Sequence, residues 1–297
     1  MLHNAKVFLR KAADEIVGHS DHADAPFTND RATVIMVLIQ TAIELAAVAL
    51  VIRHRGVRAI LAKDPGYSDE EIRQRWLDGD LRTHTFAQIE ILASQIYRSE
   101  EFWGLAETFA GQRNKLVHLH LSMEGDAYDL KYDAIYMLIA TISHLIAEDS
   151  IAYVGMSGVV LGQKRLRKLT SFGPYQYRIR QVASEHGDPL KCVICDCEAY
   201  VADEEHCFGC GSYYPSEDLL KCPFCSQRTV MYDELNISQN EIMKALCTAC
   251  DEGVLVARCR TCENDYIYEP GDGACPFCDD DGSNLGRLPI PSRGASA

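Results

Sequence analysis

Along most of the first half of the chain, apolar residues recur every three or four positions, a spacing that gathers them on one face of an α-helix. Val7 to Val17 carries this pattern at the N-terminus. Thr33 to Arg55 carries it more densely, and its apolar centre, Val34 to Ile52, is 19 residues long. That length approaches what a bilayer requires. Gln40, Thr41 and Glu44 interrupt the run, however, and Arg53, His54 and Arg55 close it. A charge near a bilayer centre is costly, so the segment reads as a buried bundle helix with no membrane insertion.

Ser68-Asp69-Glu70-Glu71 reads as a helix N-cap with an acidic first turn, starting a short helix that carries Trp76. Phe86, Ile89, Ile96 and Tyr97 form the next stripe. A further helix starts near Glu100 and carries Phe102, Leu105, Phe109, Leu116 and Val117. A turn at Gly125-Asp126 then leads into an apolar helix from Tyr132 to Ile146. Helices joined by short loops imply a bundle. From Tyr175 onward the segments look short, aromatic and β-branched, the pattern of small strands. The reading is therefore multidomain: an all-α bundle with an extra N-terminal helix over 1–155, a basic connecting segment over 156–190, small β-rich zinc-ribbon modules over 191–278, and a disordered tail over 279–297 that has little to bury.

The cysteines give the β-rich part its chemistry. All 13 lie between Cys192 and Cys278, and 12 fall into Cys-x-x-Cys pairs: Cys192/Cys195, Cys207/Cys210, Cys222/Cys225, Cys247/Cys250, Cys259/Cys262 and Cys275/Cys278. A disulfide scaffold is the rival reading, but two-residue spacing favours metal. The N-terminus also lacks an export signal, which implies a cytoplasmic protein. Two thiolates on one tight turn grip a metal from one side, and a second turn completes a tetrahedral S4 site. The pairs thus predict three structural sites, with zinc as the occupant and iron as the alternative. Pairing in chain order leaves loops of 11, 21 and 12 residues between knuckles. A competing arrangement follows from an internal repeat, because Cys207–Cys225 and Cys259–Cys278 both end in Cys-Pro-Phe-Cys. It would leave Cys192/Cys195 to join Cys247/Cys250. Chain order avoids the long crossing and is preferred. Cys197, His186 and His206 are read as spare donors.

Charge narrows the partners. The net charge is −14, with 21 Lys and Arg against 24 Asp and Glu up to residue 190, then 8 against 19. An acidic ribbon region argues against a non-specific nucleic-acid coat and for protein contacts. The conspicuous basic stretch is Lys164-Arg165-Leu166-Arg167-Lys168, either a local phosphate-contacting site or the wet face of a connecting helix.

One constellation in the helical half has catalytic residue types. Gln112-Arg113-Asn114-Lys115-Leu116-Val117-His118 places a permanent cation, an amide and an imidazole within about one and a half helical turns, with Asn114 and His118 on one face. Histidine moves protons near neutral pH, and arginine neutralises charge building on phosphorus. His84 and His120 read as ordinary polar residues. In its place within a bundle, over roughly residues 30–150, Arg113-Asn114 followed by His118 after three intervening residues resembles the motif of the HEPN superfamily, the higher eukaryote and prokaryote nucleotide-binding domain. Many of its members are endoribonucleases of toxin–antitoxin, phage-defence and RNA-processing systems that need no catalytic metal and dimerise to line one cleft. The resemblance implies a homodimer that cleaves RNA by attack of the ribose 2′-hydroxyl. His118 would transfer the proton, Arg113 would clamp the phosphate and Asn114 would support them. Lys115 and the basic run Lys164, Arg165, Arg167 and Lys168 would guide RNA, and an antitoxin or regulatory protein is an expected partner. The alternative is a non-catalytic scaffold built on the same bundle and ribbons.

Overall fold

A computed structural model describes residues 1–18, 27–63, 66–119, 127–146, 156–192, 194–213, 219–232, 237, 242–270 and 275–278. The expected turn at Gly125-Asp126, His120 and the tail after Cys278 lie outside these residues. The architecture is an all-α region followed by two small antiparallel sheets.

The helices are α1 (Leu2–Val17), α2 (Asn29–Arg55), α3 (Asp69–Leu77), α4 (Phe86–Ser94), α5 (Glu100–Leu119), α6 (Ala127–Thr141), α7 (Met156–Leu161), α8 (Gln163–Thr170) and α9 (Gly173–Ser184). A 3-10 turn, Val57–Ile60, follows α2, and a π-helical turn, Ile142–Ile146, extends α6. Thr28 caps α2 through its hydroxyl, which accepts from the Arg31 N–H. Ser68 and Glu71 form the capping box that their sequence predicts for α3. The long apolar helix α2 is the centre of the bundle. Ile35, Ile39, Ile43, Ala46 and Leu50 are buried along it, and α1, α4, α5 and α6 pack around it. Its length and composition would also suit a membrane; here neighbouring helices cover most of its apolar side chains.

Two features differ from the sequence reading. Residues 173–184 form a helix, although the run from Tyr175 looks strand-like. Pro174 in the first turn has its φ preset for a helix and lacks an N–H that would go unbonded there. Tyr175, Ile179 and Ala183 then share one buried face. The segment 156–190 also does more than connect. Helices α7 and α8 pack on α1, and Arg165 Nε bonds Asp14 Oδ1 at 2.6 Å. The hydrophobic core runs unbroken from Ala5 through α9 into the first ribbon at Cys192, Tyr200, Cys207 and Cys210.

The first sheet orders β1 (Leu190–Lys191), β2 (Glu198–Val201) and β3 (His206–Cys207). The second orders β4 (Leu220–Lys221), β5 (Arg228–Met231), β6 (Ile242–Cys247), β7 (Gly253–Arg258) and β8 (Asp265–Ile267), and it curls so that β4 also approaches β8. Along the long β6–β7 hairpin, Met243 pairs with Val256 and Ala245 with Val254. Two small cores, one around Val230 and Val256 and one around Ala257 and Tyr266, fill this sheet separately from the main core.

Candidate functional sites

Among the described residues, the five knuckles that begin at Cys192, Cys207, Cys222, Cys247 and Cys259 share one backbone design. The carbonyl of the first cysteine accepts from the N–H four residues later, as in Asp196 N to Cys192 O at 2.8 Å and Asp251 N to Cys247 O at 2.9 Å. That later residue turns left-handed in each case: Asp196 (φ 61°), Gly211 (φ 69°), Ser226 (φ 63°), Asp251 (φ 58°) and Glu263 (φ 60°). The turn points both thiols of a pair the same way and aims several N–H groups at sulfur, such as Thr261 N to Cys259 Sγ at 3.3 Å.

The knuckles meet in chain order. Cys192, Cys195, Cys207 and Cys210 form the first cluster, Cys222, Cys225, Cys247 and Cys250 the second, and Cys259, Cys262, Cys275 and Cys278 the third. The arrangement implied by the Cys-Pro-Phe-Cys repeat is thereby excluded, because Cys207/Cys210 faces Cys192/Cys195 across the first sheet. Across the clusters, facing sulfurs lie at 3.8 and 3.7 Å, 3.8 and 3.6 Å, and 3.5 and 3.7 Å. A disulfide would bring them to about 2.05 Å. A tetrahedron with metal–sulfur bonds of about 2.3 Å has edges of about 3.8 Å. The donor sets therefore fit a four-coordinate metal, and four sulfurs leave no open position for a substrate.

The sequence did not single out the groups that brace these sulfurs. Ser212 Oγ lies 2.8 Å from Cys210 Sγ, and Thr229 Oγ1 lies 3.2 Å from Cys247 Sγ. Hydroxyl donors of this kind favour the thiolate and fix its direction. Ser212 stands two residues beyond the Cys-x-x-Cys pair, a readable position; Thr229 comes from another strand. The spare donors stay outside the clusters. Cys197 is buried with its thiol directed at Thr170 O (3.7 Å), while His186 stacks on Phe208 with ring centroids 4.6 Å apart and His206 meets the same ring edge-on.

The Arg-Asn stretch lies near the end of α5. Asn114 and Lys115 are exposed there, and Arg113 is half-buried, with a buried Nε that has no hydrogen-bond partner among the described residues. The His118 side chain lies outside the described residues. Beside this stretch, Gln112 Nε2 donates to Asp133 Oδ2 of α6 at 3.1 Å. Burial raises the Asp133 carboxyl against the lowering effects of Gln112 and Arg178. His84 bonds Gln88 on the surface. Of the basic run, Arg165 is paired with Asp14. Arg167 reaches Asp196 (3.4 Å) and Ile194 O (3.3 Å) of the first ribbon. Lys164 and Lys168 border a cleft of about 400 Å³ between the end of α1 and the start of α8.

A partly buried imidazole sits in the π-helical turn that extends α6. His144 Nδ1 and the Tyr97 hydroxyl share a hydrogen bond, and the imidazole packs against Phe102. Burial pushes its pKa from 6.5 down to about 4, and nearby His206 adds to the shift. An unfolded chain takes up this proton below pH 6.5, whereas the native protein resists until about pH 4. Stability supplied by neutral His144 is therefore complete above pH 6.5 and lost as pH falls toward 4, by about 3 kcal/mol in all. Denaturant melts of the parent and His144→Gln across this range check the expectation. Parallel pH profiles for the two would assign the acid sensitivity to other groups. No family model, curated protein or solved structure matches this chain, so its functional reading rests on its own residues and geometry.

Proposed function

We propose that this chain is a zinc-stabilised binding protein whose helical body and ribbons hold contact surfaces for a protein partner. The closed S4 donor sets carry this reading, since zinc with four thiolates is a folding device with no place for a reacting ligand. Two exposed aromatics support it. Phe224 and Phe277, 65% and 58% exposed, stand at the tips of the two Cys-Pro-Phe-Cys knuckles, where rigid turns present apolar rings to solvent. Exposed aromatics on rigid supports are common anchors in protein interfaces. The acidity of the ribbon region favours a partner with a basic surface.

A second reading, a HEPN-type endoribonuclease acting as a cytoplasmic homodimer under an antitoxin-like regulator, draws support from exposed Asn114 and Lys115 beside the partly buried Arg113 on α5. In it, Arg113 neutralises the phosphate, His118 moves the proton, and Lys164 and Lys168 meet the RNA backbone. Incubation of the zinc-loaded protein with structured and single-stranded RNAs, without added divalent metal, separates the readings. The binding-protein reading expects no cleavage and unchanged partner affinity in Arg113→Ala and His118→Ala. Products ending in 2′,3′-cyclic phosphate that vanish in both variants would replace it with the nuclease.

A further inference from the structure

The three clusters differ in what surrounds them. In the first, all four cysteines are at most 1% exposed and belong to the main helical core. In the second and third, one cysteine of each pair is partly open to solvent (Cys225, Cys250, Cys262 and Cys278), and the packing around them is local to the second sheet.

Helical side chains also hold the backbone of both knuckles of the first cluster. Ser157 of α7 donates to Cys210 O at 2.9 Å, and Tyr175 of α9 donates to Gly209 O at 2.8 Å. From α8, Thr170 donates to Cys195 O at 2.8 Å, while Gln163 and Arg167 both donate to Ile194 O. Both turns that carry the thiols are thus bonded to helices, and three of the donors, Ser157, Thr170 and Tyr175, are themselves buried. Without a cation these four buried cysteines must stay protonated, with no bond to hold the two knuckles together. A metal that replaces those protons with four metal–sulfur bonds locks both knuckles in place and therefore stabilises α7, α8 and α9 along with the ribbon.

We infer that the first cluster is the keystone of the helical body, so that its metal and the packing of α7–α9 are gained and lost together, whereas the second and third clusters load and release metal without disturbing the helices. Ser157, Thr170 and Tyr175 are positioning residues for that metal. This makes the helical region responsive to metal supply at one cluster only. The inference rests on the reading of zinc as occupant, and metal analysis of the purified protein before any treatment tests that reading separately.

Chelator challenge of the full-length, zinc-loaded chain tests the coupling, with zinc release followed by a chromogenic dye, helix content by circular dichroism, and residues 156–184 by hydrogen exchange. Two of the three equivalents should leave first with helix signal and exchange protection intact, and the third should leave later, together with that protection. Tyr175→Phe and Thr170→Val keep every ligand and should speed release of the last equivalent by about 10- to 100-fold, leaving the first two unchanged. Cys250→Ser should stay helical, while Cys210→Ser should lose protection over α7–α9 or fail to accumulate folded. Release of all three in a single phase overturns the inference. So does loss of the last equivalent with α7–α9 still protected, or unaltered release in both positioning variants.

Discussion

Asp265→Ala is expected to destabilise the second sheet by about 3–5 kcal/mol and to weaken metal retention at the third cluster. The Asp265 carboxylate, with its side chain only 8% exposed, accepts from Arg258 Nε at 2.8 Å and Nη2 at 2.9 Å, and from the Tyr232 hydroxyl at 2.8 Å. Arg258 directly precedes Cys259, so this fork fixes the strand end from which the third cluster starts. Removing the carboxylate takes the fork partner from a partly buried guanidinium and one acceptor from the Tyr232 hydroxyl at the same time. Asp265→Asn retains an acceptor of the same shape and should lose less. Denaturant melts together with zinc stoichiometry check both variants. A melt within about 0.5 kcal/mol of the parent, the range of ordinary surface changes, would show that the fork contributes nothing.

Gly211→Ala should cost about 2–5 kcal/mol, for two additive reasons. The left-handed backbone at φ 69° costs a residue with a side chain roughly 1–2 kcal/mol. Asp196, Ser226, Asp251 and Glu263 bear that strain at equivalent knuckle positions, so strain alone does not demand glycine. The second reason is specific to the first ribbon. A Cβ on Gly211 would collide with Ser143 Oγ and stand 2.7 Å from Ser143 Cβ, in the π-helical turn of the bundle. The hydroxyl can rotate away, but the Cβ moves only with its backbone, and overpacking of this kind costs about 1–3 kcal/mol. Because the clash falls where ribbon meets helix, the thermal melt should drop and hydrogen exchange should rise on both sides of the contact. Ser143→Gly in the Gly211→Ala background should recover the packing part of the loss. Absence of any recovery would place the whole effect in backbone strain.

The mixed architecture, the gathering of the cysteine pairs into clusters and most helix positions were legible because each depends on short-range chemistry. Apolar spacing placed α2 and α5, Ser68 and Glu71 marked the start of α3, and two-residue cysteine spacing marked every knuckle. Pairing in chain order was also favoured by loop length. The strand-like look of the run from Tyr175 misled because aromatic residues suit either element; Pro174 and the 3.6-residue recurrence of Tyr175, Ile179 and Ala183 were the signals for a helix.

The sequence by itself determined which cysteines gather into four-sulfur clusters and where the capped helix α3 begins, since ligand spacing and capping are fixed within a few residues of chain. Only the tertiary structure decided that the three clusters are unequal. That inequality comes from contacts across large separations, such as Ser157 to Cys210 and Tyr175 to Gly209, and from the absence of a side chain at Gly211 where Ser143 approaches. Burial and hydrogen bonding between distant segments are properties of packing, and no local pattern of residues encodes them.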